Sequence, residues 1–382
     1  MRRTVLVTGA GGAGVTTVAA ATALAAVRDG HRAVLLSQGR LPAVLDGVAG
    51  LTLVRVDPAA GFRAAVLAAQ RHGGGALDLL GAQPLDEDEL TELPGTAHLA
   101  LLHALRTARE RAGPGDVLVA DLPPAPDGVA LLGLPAQLAR YLRRLLPPDR
   151  QAARALRPVL AQLAGVPMPA QWLYESAGRW QEALAAVREV LDDPGTSARL
   201  VVAPVPGAPA AVAESRAGLA LHGTPLDAVI VNRMLPAGVA DAYLDALRGE
   251  QRAVADELRA APHGPPPLEL PWLPAAPATP DDLAALGVPG PGAPPPGPAP
   301  RIADRRTEDG ELVWRLPLPG AVRERVALVR RGDEVIVTAG PHRRALPLDG
   351  ALSRCAVAGA RLADGGLTVR FRPDPALWPE GS

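Results

Sequence analysis

The stretch Thr8-Gly9-Ala10-Gly11-Gly12-Ala13-Gly14-Val15-Thr16-Thr17 follows the apolar run Thr4–Val7 and opens an alanine-rich segment, Val18–Val27. A strand that feeds a glycine-rich turn and then a helix start brings backbone N–H groups together on an anion, and the helix dipole favours negative charge there. Glycine permits that approach because no Cβ intervenes. Such a loop normally carries a lysine before its Ser/Thr pair to reach the terminal phosphates, and the first hydroxyl of the pair ligates Mg²⁺. Here Val15 holds the lysine position and Thr16 keeps the hydroxyl. The stretch reads as a phosphate-binding loop without its lysine; a tight β-to-α turn that binds nothing is the other reading of the same residues.

The rest of the composition sharpens the point. All 39 basic residues are arginine, so no lysine from another segment can take over the missing contact. Drift in a high-GC genome turns surface lysines into arginines, but it does not turn a phosphate ligand into valine. Against 40 acidic residues the charge is balanced, which points away from nucleic acid and from anionic membrane surfaces. The single cysteine, Cys355, excludes an intramolecular disulfide and a CxxC metal site. The seven histidines show no metal-ligand spacing. Arg2 and Arg3 precede a short strand broken by glycines, so no signal peptide is read, and no run of about 18 apolar residues predicts a membrane span. A cytoplasmic protein without a transmembrane segment is expected.

At 382 residues there is room for two domains, one of them large. Ala33–Ser37 completes a βαβ unit with a parallel sheet, and Leu51–Asp57 adds a short strand before a helix over about 62–70. The acidic run from Leu85 to Gly95 reads as a solvated face. Helical spacing follows over Leu99–Ala112. Asp116–Asp121 is an apolar strand closed by a carboxylate, the placement at which P-loop proteins hold the Mg²⁺ shell. Periodicity is helical between Ala136 and Val190. From Pro289 to Pro300 the chain is proline-dense, so it is expected to be extended and unable to pack. Beyond it, short strands are predicted at 312–320, 326–330, 334–338, 343–348 and 367–371, with turns at 331–333 and 363–366.

In this order the landmarks resemble the ArsA family of P-loop ATPases, which includes anion-transporting and tail-anchored-protein-targeting members. The family loop is Gly-Lys-Gly-Gly-Val-Gly-Lys-Thr-Thr, so Ala10 and Val15 stand where two lysines would. Ser37-Gln38-Gly39-Arg40 matches a Ser-Thr-Asp run whose aspartate positions the attacking water, and Gly39 takes the aspartate position. Asp121 to Pro135 lines up without gaps on the family's switch block, with Ala125, Pro126 and Asp127 replacing Thr, Gly and His; the added prolines should stiffen it. Val231-Asn232-Arg233 matches the segment whose asparagine borders the adenine, although a turn-forming asparagine is an alternative. With Met168 alone in the helical stretch, a methionine-rich client groove is not evident and ordinary helix packing is expected. The C-terminal strands resemble the α-crystallin-like sandwich appended to some family members, with Cys355 in its core.

The resemblance implies an α/β P-loop fold with a mostly parallel central sheet and a helical insertion, followed by a small all-β sandwich. The expected division is 1–288, with the insertion over about 136–191, a Pro-rich linker over 289–304, and the sandwich over 305–375. It implies ATP or ADP with Mg²⁺ at Gly9, Gly11, Gly12, Ala13, Gly14, Val15, Thr16, Thr17 and Asn232, with Thr16 and Asp121 on the metal and no catalytic residue. Each lost cation removes roughly one to two decades of affinity, and losing one such donor typically lowers a rate by about 10²–10³. The expectation is a weakly or non-hydrolysing subunit that forms a homo- or heterodimer with a relative. A working ATPase and a chaperone-like module for a protein client are the alternatives.

Overall fold

The computed structural model describes residues 2–39, 41–80, 83–146, 170–238, 241–348 and 350–378. Met168 and residues 147–169 of the helical stretch lie outside them. Seven parallel strands form one sheet in the order β3-β2-β4-β1-β5-β6-β7, from β1 (Arg3–Gly9), β2 (Ala33–Ser37), β3 (Leu51–Arg55), β4 (Val117–Asp121), β5 (Thr196–Val202), β6 (Leu226–Met234) and β7 (Pro267–Pro271). β1 is buried along its whole length, as a central strand covered on both faces must be. The two-residue alternation of side chains splits it between two cores. Leu6 joins Leu36, Leu118 and Leu200 on one side, while Val5 and Val7 join Leu35, Val119 and Ile230 on the other.

The second of these faces is covered by α1 (Val15–Arg28), whose Val18–Ala26 run is apolar apart from Thr22 and small enough to lie close on the strands, and by the short α8 (Pro280–Ala284). The first is covered by α3 (Thr96–Arg111), α4 (Asp127–Leu145), α5 (Ala170–Leu191), α6 (Ala208–His222) and α7 (Ala242–Ala260), with α2 (Pro58–Leu80) packed on α3. The acidic run is solvent-exposed except for Leu90.

Two antiparallel sheets follow. One has the order β13-β14-β9-β8, from β8 (Arg301–Arg305), β9 (Glu311–Pro317), β13 (Cys355–Ala363) and β14 (Gly366–Pro373). The other runs β10-β11-β12, from β10 (Val326–Arg331), β11 (Glu334–Ala339) and β12 (His342–Pro347). Trp314, Val337, Cys355 and Phe371 meet between them. Ala217 and Leu221 of α6 enter this same core. α6 therefore lies between the parallel sheet and the sandwich, and every residue from Ser215 to His222 is buried, as a helix covered on two sides requires.

The proline-dense stretch is extended but it does pack, contrary to expectation. Arg3 Nε donates to Gly292 O at 2.9 Å and Arg199 Nη1 to Pro289 O at 2.8 Å, while Asp227 carries both guanidinium groups. Proline lacks an N–H but keeps a carbonyl acceptor, and two buried arginines use the carbonyls of this segment. β8 also begins at Arg301, four residues ahead of the sandwich start read from the sequence.

The sandwich is fastened to α4 by Glu334, which accepts from Arg140 Nε at 2.9 Å and from Arg144 Nη2 at 2.7 Å. Arg140 holds the Glu334 carboxyl below the usual carboxylate range, so this contribution is present at neutral pH and is lost as pH falls through that lowered value. Glu334→Gln is expected to lower stability by about 1–2 kcal/mol, seen as a lower thermal midpoint at pH 7. An unchanged midpoint would show the ion pairs to be dispensable for docking.

Candidate functional site

β1 ends at Gly9, where a Cβ would lie 1.9 Å from Val201 O, so only glycine lets β1 and β5 run this close into the loop. Gly12 (φ +75°) and Gly14 (φ +90°) then take left-handed conformations that suit glycine. Gly14 caps α1 with no side-chain hydrogen bond, and α1 has no acidic residue in its first turn. Among the described residues, the N–H groups of Gly11, Gly12, Gly14, Val15, Thr16 and Thr17 have no hydrogen-bond partner. Uncapped N–H groups at the head of a 14-residue helix form a nest for an anion.

β4 ends beside this helix start. Thr16 Oγ1 donates to Asp121 Oδ2 at 2.8 Å, and Ser37 Oγ at the end of β2 donates to the same oxygen at 2.6 Å. Burial raises the Asp121 pKa above the usual carboxylate value, and the two hydroxyls hold it down in part. The sequence identifies Thr16 and Asp121; Ser37 enters it only as the first residue of the Ser37–Arg40 run, and nothing in that run pairs its hydroxyl with Asp121.

The segment after Asp121 is tied back to β1. Thr8 Oγ1 donates to Pro123 O at 2.7 Å, and the Ala125 N–H donates to Gly9 O at 2.8 Å. Gly128 must be glycine, because a Cβ would lie 2.2 Å from Pro123 O.

On the other side of the loop, Asn232 is buried, with Nδ2 donating to Ala13 O at 2.8 Å and Oδ1 accepting from the Arg233 N–H at 3.0 Å. Its amide thus clamps the loop. One hydrogen on Nδ2 and one lone pair on Oδ1 are still free by valence to meet a base.

Two cavities flank Gly14. The first, about 480 Å³, is lined by Ala10, Gly12, Val15, Thr16, Gly39 and Asp121. The second, about 460 Å³, is lined by Thr17, Asn232, Trp272 and the turn through Pro277. Gly14 and Arg233 line both. Of the residues expected at the nucleotide, Gly9, Gly11 and Ala13 shape the loop from outside the cavity walls. Val15, Ala10 and Gly39 bring three uncharged positions into the first cavity together. Arg233 is a wall residue not singled out from the sequence; its only cue there was its place beside Asn232. A third cavity of about 630 Å³ lies between α2, α3 and α5 and is lined by Phe62, Leu99, Leu184 and Trp180, with no methionine among the described residues.

Among the described residues no group of three or more metal-ligating side chains occurs, and no helix is long and apolar enough to cross a membrane. Thr16 and Asp121 offer hard oxygen donors within hydrogen-bond distance of each other, a set that suits Mg²⁺ retaining several waters.

The family described as anion-transporting ATPase matches residues 2–275, and the HSP20-like domain found in ArsA matches 309–371. A Streptomyces coelicolor protein, named only as uncharacterized, is 52% identical over 99% of this chain and 100% of its own length. The Mycobacterium tuberculosis protein Rv2184c is 30% identical over 98% of this chain and 97% of its own. An Aquifex aeolicus protein that bears the name arsenical pump-driving ATPase 1 is 27% identical over 66% of each. With a glycine loop between β1 and α1, a carboxylate closing β4 and family matches over both the parallel-sheet region and the sandwich, this chain belongs to the ArsA family of anion-transporting ATPases and carries the family's HSP20-like domain.

Proposed function

We propose that the chain binds a magnesium nucleotide at the loop, does not split it unaided, and acts as one half of a dimer with a second ArsA-family subunit. The observation that carries this reading is the intact Thr16–Asp121–Ser37 hydrogen-bond frame beside unpartnered loop N–H groups, in a cavity whose lysine and aspartate positions are Ala10, Val15 and Gly39. Thr16 and Asp121 would hold Mg²⁺, which would neutralise charge between the phosphates and favour the ionised carboxylate. The loop N–H groups would orient the phosphates, and the turn around Trp272 would receive the base beside Asn232. Missing from these residues is the fixed positive charge that meets charge developing during phosphoryl transfer, which a partner subunit would supply. Metalloid binding through thiolates is no part of this reading: Cys355 is buried in the sandwich core, with Sγ donating to Ala351 O at 3.2 Å.

Asp121→Asn is expected to abolish the Mg²⁺ dependence of nucleotide affinity while leaving affinity in chelator unchanged, as read by titration calorimetry with ATP and ADP. The wild-type chain alone should release phosphate at background and form a complex with an intact relative when Mg-ATP is present. Steady phosphate release by the isolated chain, abolished by Asp121→Asn, would replace this reading with that of a working ATPase.

A further inference from the structure

The geometry points to Arg233 as the cation that binds the phosphate chain of a nucleoside di- or triphosphate in place of the absent loop lysines. The inference rests on the nucleotide-binding reading above and adds the residue that carries the charge.

Three independent features single out this arginine. First, its position: Arg233 is a wall of both cavities that flank Gly14, so a nucleotide with its base near Trp272 and its phosphates near Thr16 passes beside it. Secondly, its backbone is built to leave the strand. The pairing of β6 with β7 slips between Val231 and Met234, and Arg233 adopts φ +67°. An irregularity of this kind re-aims a side chain, and a left-handed non-glycine residue persists only where its surroundings hold it. Asn232 Oδ1 accepts the Arg233 N–H, Gln251 Nε2 donates to Arg233 O, and Gln251 Oε1 accepts the Leu235 N–H, so the backbone is held on both sides of the residue. Thirdly, its charge is available. Among the described residues the exposed Arg233 side chain makes no hydrogen bond or ion pair, whereas Arg3, Arg109, Arg140 and Arg199 are each engaged by a carboxylate.

The chemistry suits the role. A guanidinium stays charged at any working pH, presents several donors in a plane and pairs with phosphate oxygens bidentately. In this chain without lysine it is, among the described residues, the cation that borders the cavity of Thr16 and Asp121. Fed from β6 rather than from the helix start, it approaches from the Asn232 side, and a lysine at position 15 would approach from α1. That route suits binding of the phosphate chain.

The test is titration calorimetry of the full chain with Mg-ATP, magnesium tripolyphosphate and adenosine. Arg233→Ala and Arg233→Gly are both expected to weaken Mg-ATP and tripolyphosphate by roughly 10- to 100-fold and to leave adenosine unchanged, while Arg233→Lys recovers part of the loss. Glycine adopts φ +67° without strain, so Arg233→Gly should unfold no earlier than wild type and guards against a loss that is only misfolding. If all three variants bind Mg-ATP like the wild type, Arg233 has no such role and nucleotide binding stands without it. If the wild type takes up neither Mg-ATP nor tripolyphosphate, the nucleotide-binding reading fails first and this inference with it.

Discussion

Val15→Lys is expected to tighten Mg-ATP binding by about 10- to 100-fold, and Val15→Lys combined with Gly39→Asp to raise single-turnover phosphate release by about 10²–10³-fold over wild type. The first effect follows from where position 15 lies. Val15 is half-buried at the first residue of α1 and lines the 480 Å³ cavity together with Thr16 and Asp121. A lysine there enters space that already exists, and it is a better helix former than the β-branched valine it replaces. The second effect needs a carboxylate near the attacking water; Gly39 is exposed and borders the same cavity, and among the described residues a Cβ there would meet only Ser37 Oγ, at 3.5 Å. The Thr16–Asp121 bond lies clear of both changes, while Gly39→Asp abuts the frame at Ser37 Oγ, which already accepts the residue-39 N–H at 3.0 Å. Calorimetry measures the first and quenched-flow phosphate release the second. A folded Val15→Lys protein with unchanged affinity would mean that the loop N–H groups do not face a phosphate at all, and the turn that binds nothing would be the correct reading.

What could be read from the sequence was what neighbouring residues decide among themselves. A strand, four glycines and a threonine pair define the loop because backbone conformation and helix start are local properties. Asp121 was legible because it closes an apolar strand. The sandwich strands that alternate Val, Ile and Leu with polar residues announced themselves in the same way. β13 did not, since Cys-Ala-Val-Ala-Gly-Ala-Arg-Leu-Ala is rich in residues that disfavour strands, and its pairing with β14 overrides them. The Arg233 placement needed the slip between β6 and β7, which depends on two strands brought together by an intervening helix. The packing of the proline stretch depended on Arg3 and Arg199, which are nearly 300 and 100 residues from the carbonyls they meet. Long-range partners of this kind leave no periodic trace.

A pair of buried histidines makes the strongest case for a property invisible in the sequence, and it predicts acid sensitivity of the joint between sandwich and helices. His222 at the end of α6 and His342 at the start of β12 are 8% and 2% exposed, with ring centroids 6.4 Å apart in an edge arrangement. Glycines make room for both: a Cβ on Gly133 of α4 would lie 2.4 Å from the His222 ring, and one on Gly218 of α6 would lie 2.3 Å from the His342 ring. None of the four ring nitrogens has a hydrogen-bond partner among the described residues. Burial, with the positive charge of Arg344 beside it, lowers the His222 pKa to about 3. Burial also lowers His342, helped by Arg325 and opposed by Glu214.

Both rings stay neutral in the folded chain while the unfolded chain takes up protons near pH 6.5. Below that pH the unfolded state binds more protons, so stability falls with pH until the folded pKa is reached. For His222 the loss is about 1.4 kcal/mol for each pH unit between about 6.5 and 3, or roughly 3 kcal/mol by pH 4.5. His222→Leu removes two unsatisfied nitrogens and leaves no new one. Its stability should match or exceed wild type at pH 7.5, and its denaturant midpoint should fall less steeply between pH 6.5 and 4.5. Amide exchange should rise first in Ala217–His222 and β12 of the wild type, because that is where a proton would have to enter. Parallel pH curves for the two proteins would mean that His222 is protonated without penalty, which its orphaned nitrogens and its glycine seat both argue against.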